Sequence, residues 1–488
     1  SPLGDSARWN STLSWRFSDN DYSYWDRNGT AYNTADDSSR NRQNAQYSQL
    51  SGNHAWNRIL PWGELRLQIN HSQENGGYPG TESQITHVAG FDRQWLTSRL
   101  TWLQLPWNNG WRMEAELGGR TAKDLFHWSN EIDHLGYSTG NEEYQEIGTR
   151  DLRGEGALRF LGEWRNRYSL QMHLSGFGEQ LDPRDNPAQA RSWKWRLQRH
   201  SGTGALEASA ALRSWLALQT NLQATGLIDH NSGGILRTTY NDTMPEETSH
   251  RWAQASQASL RLGDPASWWK VTVAGGHHYR LPELRELYST CAAVLPNPDL
   301  LPEKGENAEL GLELTGRKWR LQTSLFWNRS RNGIYWVYSA GFSKPQNLSR
   351  TETRGWEAEC HFSPFSWLDW SAQMTWQDPR NTTNLAAYHN KLSPNEPRFS
   401  TGSEFSIRWG RCEFGVRGEW RSTVYRDMAN QMRIAPQGNV HASLAVAAWT
   451  GATIRFCANN LTGAESQDIY SAYPTPGRQY SLGLVQEF

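Results

Sequence analysis

Apolar and polar residues alternate along most of the chain. Leu65, Leu67 and Ile69 are separated by Arg66 and Gln68. Tyr168, Leu170, Met172 and Leu174 are separated by Ser169, Gln171 and His173. The same pattern runs through Trp356, Ala358, Cys360 and Phe362, and again through Val440, Ala442, Leu444, Val446 and Ala448. A period of two puts every second side chain on one face of a strand. No stretch keeps a capped period of 3.6, so the pattern predicts an all-β chain. The longest unbroken apolar run is Leu444 to Trp449. It is far below the roughly 18 residues of a transmembrane helix. Strands that alternate can still cross a membrane as a barrel, because they average out as polar.

Two kinds of punctuation separate the strands. Tight turns rich in Gly, Pro, Asn and Ser centre near residues 59, 108, 163, 214, 265, 317, 366, 410 and 451. Long polar and aromatic loops alternate with them, as at 20–44 and 342–351. A β-propeller also repeats at such spacing, but its blades need four short strands per period, and each period here holds two long ones. Every tight turn has a Trp close by, including Trp62, Trp107, Trp164, Trp215, Trp268, Trp319, Trp367, Trp409 and Trp449. Trp favours the membrane–water boundary, so these positions read as the aromatic girdle of one rim. The long loops then belong to the opposite, extracellular rim. Twenty spans follow, from 7–18 to 479–488, among them 165–177, 203–212, 318–330 and 353–363.

Composition sharpens this picture. A chain of 488 residues would ordinarily divide into about three soluble domains. Here 37% of residues are hydrophobic, 27 are Trp and mean hydropathy is −0.78, which suits a wide barrel better. A net charge of −1 gives no electrostatic reason to expect nucleic acid. Four Cys make neither a disulfide framework nor a zinc spacing. Ser1 to Asp5 carry no signal peptide, so we expect a removed signal or an internal cut.

The last residues, Gly477 to Phe488, place Tyr480, Leu482, Leu484 and Phe488 on one face. They resemble the C-terminal targeting strand of outer-membrane barrels. Tyr279 to Tyr288, reading YRLPELRELY, precedes Asn297 to Glu303, reading NPDLLPE, and then Asn307 to Gly311. This order resembles the barrel signature of the TonB-dependent receptors. Asn347 with Arg354 to Glu359, Asn459 to Leu461, and Pro474 to Tyr480 agree with that family. The opening, Asp19 to Tyr22 through Asn28 to Thr30 and on to Arg42 to Ala45, resembles the first outer loops of its cobalamin- and siderophore-type members.

The resemblance implies a 22-strand antiparallel transmembrane β-barrel with an N-terminal plug inside it. Set against it, residues 1–488 supply strands 3 to 22. The plug, its TonB-binding segment and two strands would come from a second chain, in a split receptor. The implied activity is transport across the outer membrane of a Gram-negative bacterium, with a siderophore, cobalamin or another metal chelate as cargo. The alternative is a scaffold barrel that no longer transports and serves a surface or secretion assembly, with a surface lipoprotein as partner. Neither reading makes the chain an enzyme or gives it a cofactor.

Aromatic and methionine side chains in the outer loops are the ligand-binding candidates: Trp25, Tyr288, Tyr335, Trp336, Tyr338, Tyr425, Met428 and Met432. The same residues could instead form the upper girdle. Asp19, Asp21, Asp26 and Asn28 are weak calcium candidates, with a solvated acidic loop as the plainer reading. His277 and His278 point to opposite faces of a strand and make no metal pair. Cys360 and Cys412 fall on the lipid-facing register, Cys457 on the lumen side and Cys291 in an outer loop. Haem receptors of the family tend to carry a His between the two motifs, and none stands between Leu281 and Asn297.

Overall fold

The structure is a computed structural model. It describes residues 7–26, 34–79, 86–87, 89–104, 110–128, 145–165, 167–185, 196–235, 243–288, 295–339, 342–463 and 476–486. Among the described residues twenty long strands form one antiparallel sheet. They are β1 (Ala7–Ser18), β2 (Tyr47–Leu60), β3 (Gly63–Gly77), β4 (Gly90–Gln104), β5 (Trp111–Trp128), β6 (Gln145–Trp164) and β7 (Tyr168–Asp185). Next come β8 (Leu197–Arg213), β9 (Leu216–Asn231), β10 (Glu247–Leu262), β11 (Trp269–Arg280), β12 (Glu303–Thr315), β13 (Trp319–Ser339) and β14 (Phe342–Phe365). The last are β15 (Leu368–Asn381), β16 (Phe399–Trp409), β17 (Cys412–Arg421), β18 (Gln437–Trp449), β19 (Ala452–Asn459) and β20 (Gln479–Gln486). The ladders join each strand to its successor in the chain, from β1–β2 through to β19–β20.

The expected spans are all present, and several run further at their extracellular ends. β7 continues to Asp185, β8 begins at Leu197, β13 reaches Ser339 and β14 starts at Phe342. Beyond the bilayer both faces of a ribbon meet water, so pairing continues without an apolar face to mark it. A register shift between Ser330 and Gly333, with Asn332 at φ 57°, bends the β13–β14 ribbon there. The tight turns among the described residues are as expected, and the one near 108 lies largely outside them. Gly410 and Gly451 sit at φ 61° and 75° in two-residue connections, where a side chain would be strained.

Alternation sorts the two faces. Leu174, Leu222, Leu310 and Leu444 are exposed on the outward face, where lipid would cover them. Trp215, Trp268, Trp367, Trp409 and Trp449 are exposed at the tight turns, as a girdle requires. Cys360, Cys412 and Cys457 are free thiols, and Cys291 lies outside the described residues. No helix among the described residues is long and apolar enough to cross a membrane.

The sheet has a seam. Among the described residues no ladder joins β1 to β20. Nearly every residue of both strands is exposed, on both faces. Tyr480, Leu482 and Leu484 share the outward face of β20, and Phe488 lies outside the described residues.

Candidate functional site: the extracellular vestibule

The loop between β11 and β12 folds inward against the lumenal wall. It carries one short helix, α1 (Leu284–Tyr288). Leu284, Leu287, Tyr288 and Leu300 pack on Leu181 of β7 and Leu197 of β8, the apolar core found among the described residues. Three lumen-facing charges beneath it form a clamp. Asp229 of β9 is fully buried. It accepts two bonds from Arg199, at 2.6 Å from Nε and 2.9 Å from Nη2. It accepts a third from Arg251 Nη1 at 3.0 Å. Both guanidiniums also donate to the loop: Arg199 Nη2, shared with Asp229, to the Pro282 carbonyl and Arg251 Nη2 to the Pro298 carbonyl, each at 2.8 Å. One carboxylate therefore aims two arginines at the two ends of the inward fold. Arg280 adds a second tie, bonding Glu286 and, at 2.8 Å, Glu303.

The β13–β14 ribbon is fastened to the same unit. Asn297 donates to the Pro345 carbonyl at 2.8 Å, and Asn347 bonds both backbone groups of Leu301. Glu303 accepts the Ile334 amide at 2.7 Å. Tyr335 and Trp336 follow Ile334 directly on an anchored strand, so they stand on opposite faces, Trp336 on the same face as Ile334. Trp336 is 41% exposed.

The loops 382–398 and 422–436 form a second unit. Asn430 bonds both backbone groups of Leu392, and the Asn395 amide donates to the Tyr425 carbonyl at 2.7 Å. Asp427 caps the second loop by accepting the amides of Ala429, Gln431 and Met432. Burial alone would push its carboxyl up, but these backbone bonds outweigh it and hold it below the ordinary aspartate range. Its stabilisation is thus complete above about pH 4. It fades as pH falls through the lower folded-state value. Asp427→Ala should loosen this loop by about 1–2 kcal/mol at neutral pH, read as faster amide exchange at Met432. The difference from the unaltered loop should shrink at strongly acidic pH.

The first outer loop carries a small hairpin, Ser23–Asp26 with Ser38–Asn41. Asp26 is buried and paired with Arg40 at 3.0 Å. Trp25 is half exposed, its Nε1 donating to Asp37 at 3.2 Å. Among the described residues no group of three His, Cys, Asp or Glu side chains is placed to hold a metal. Asp19 and Asp21 are described and Asn28 is not.

The structure thus divides the aromatic candidates. Trp25, Trp336 and Met432 are exposed, and Tyr335 and Tyr425 are half-buried. Tyr288 is buried between its loop and the lumenal wall, and Met428 is buried too. Tyr338 belongs to β13, and its side chain lies outside the described residues. The Arg199–Asp229–Arg251 clamp was missed by sequence reasoning. Its one signal is three charges on the lumen register of consecutive strands. Below the vestibule the lumen holds a recess of about 1110 Å³, lined in part by Glu309, Glu357, Glu404, Glu419, Arg417 and Arg421.

Comparison with known proteins places this architecture. A family model described as TonB dependent receptor-like, beta-barrel matches residues 2–461. Among solved structures, the copper transporter OprC is similar at 13% identity and a TM-score of 0.79, over 99% of this chain and 76% of that one. The ferric yersiniabactin uptake receptor FyuA from Yersinia pestis is similar at 14% identity and 0.77, over 100% and 76%. The siderophore receptor PiuA from Acinetobacter baumannii is similar at 12% and 0.78, over 99% and 78%. At such identities these likenesses speak for the fold, and the family model carries the assignment. This chain belongs to the TonB-dependent receptor family, whose members are transport receptors of the Gram-negative outer membrane.

Proposed function

We propose that the chain is the barrel of a receptor for active uptake of a scarce metal chelate: a siderophore, cobalamin or a related complex. The observation that carries this reading is the anchored vestibule above a hollow lumen, in a chain of this family. A lumen this wide cannot be filled by wall side chains, so an inner domain is needed to close it. In our reading a plug fills it and TonB acts through that plug. The unpaired edges of β1 and β20 take two further strands from the same plug-bearing polypeptide, a second chain in the split arrangement. A backbone edge in hydrocarbon needs a partner, which supports this closure. Trp25, Trp336, Tyr425 and Met432 form the ligand-facing set.

Growth of a receptor-deleted strain under iron or cobalamin limitation, rescued by individual chelates, tests the reading. Rescue by one chelate class is expected. No rescue by any chelate, with the receptor present at the surface, would favour a scaffold role with a surface lipoprotein. For the rescuing chelate, Trp336→Ala should weaken binding by about tenfold or more. Unchanged affinity would remove Trp336 from the site.

A further inference from the structure

The β13–β14 ribbon stands above the bilayer with one edge covered and one edge open. Three bonds fix which backbone groups point where. The Ile334 amide of β13 donates to Glu303. On β14 the Pro345 carbonyl accepts Asn297, and the Ser343 carbonyl accepts the Leu295 amide at 2.9 Å. All three groups point away from the partner strand. Ile334, Trp336 and Tyr338 stand opposite Asn347, Pro345 and Ser343. These are therefore the non-bonded pairs of the antiparallel ladder, and Tyr335 and Val337 carry its hydrogen bonds. The backbone N–H and C=O of Trp336 and Tyr338 then project from the outer edge of β13.

The two edges are treated differently. Along β14 the chain's own loop takes the edge, bonding it at Ser343, Pro345 and Asn347, and Pro345 has no N–H to offer. Along β13 the neighbouring strand β12 leaves the ladder at Lys304, opposite Arg331. Among the described residues, no backbone group bonds Trp336 from that side. Residues 333–339 hold no charge and no proline, and Ile334, Tyr335, Trp336, Val337 and Tyr338 are all strong strand formers. Edge strands that meet water are ordinarily blunted by charge, by proline or by cover. This edge has none of the three.

We propose that the open edge of β13 docks an extended segment of a partner polypeptide as an added strand. Free N–H and C=O groups that repeat every second residue, about 6.8 Å apart, match a peptide backbone and no other ligand class. The occupant is uncharged and free of proline where it meets Trp336. Its alternate side chains lie beside Trp336 on one face and Val337 on the other. A second copy of this chain does not fit. Two barrels in one membrane would bring these edges together at equal height, so N–H would face N–H. This contact is separate from chelate uptake, and either can fail without the other.

The test holds the receptor that carries this chain in lipid nanodiscs. The probe is a labelled, end-capped peptide of alternating threonine and valine between terminal lysines. Binding is read by fluorescence polarisation, and amide exchange is read residue by residue. Bound peptide should slow exchange at Trp336 several-fold and leave Val337, already in the ladder, unchanged. Trp336→Pro removes the outward N–H while sparing the ladder, and should bind on the order of tenfold more weakly. Trp336→Ala keeps the N–H and should lose less. The same peptide N-methylated throughout should bind the parent on the order of tenfold more weakly, which separates edge pairing from misfolding of the proline variant. Unchanged exchange at Trp336 with peptide in excess overturns the proposal. So does equal binding of the N-methylated peptide, or equal binding by Trp336→Pro.

Discussion

Replacing Asp229 with alanine should release the inward loop of the vestibule. Asp229 is buried and holds two guanidiniums, each of which also grips a loop carbonyl. Removing the carboxylate leaves two cations without their counter-charge in a site closed to water. Losing one partner of such a buried group costs about 3–5 kcal/mol, far more than a surface pair. The outcome should be regional, because the barrel ladders stay intact. Residues 281–302 should become cleavable by added protease, and amide protection at Leu287 should fall. Ligand affinity should fall too, since Trp336 is fastened to this loop through Glu303 and Asn347. Asp229→Asn should recover part of the geometry but not the charge. A loop as protected in Asp229→Ala as in the parent would refute the clamp.

The second large effect concerns the lumen. Reconstituted in a planar bilayer with the two completing strands but without the plug, the 488-residue chain should behave as a wide ion-conducting pore. Its lumenal face is lined by polar and charged side chains such as Glu309, Glu357 and Glu404 around open space. With the plug present the conductance should be close to background. A plug-free complex that seals the bilayer would contradict the need for an inner domain.

The barrel was legible because its two faces meet opposite solvents. Leu170, Met172 and Leu174 face lipid, while Ser169, Gln171 and His173 face the lumen, so alternation marks each strand. Above the bilayer that contrast disappears, and the extensions of β7, β8, β13 and β14 left no trace in the pattern. Helix α1 spans five residues, too few to show a period. Tyr288 reads in sequence as one more loop aromatic, yet the loop folds inward and spends it on its own core. Met428 is likewise buried. Asp229, Arg199 and Arg251 look like any lumenal charges until strand register brings them together.

The seam between β1 and β20 gives the most direct measurement. Adjacent strands lie about 4.8 Å apart, so two intervening strands would separate these edges by roughly 14 Å. A disulfide spans at most about 7 Å between Cα atoms. Single cysteines can be placed along Ser11–Ser14 and Tyr480–Leu484, with the native thiols replaced by serine. A cysteine pair at Ser14 and Ser51, directly opposed on β1 and β2, provides the positive control. Oxidation in intact outer membranes should link the control pair and leave every β1–β20 combination unlinked. Efficient linkage of β1 directly to β20 would show that twenty strands close on themselves, and would contradict the account.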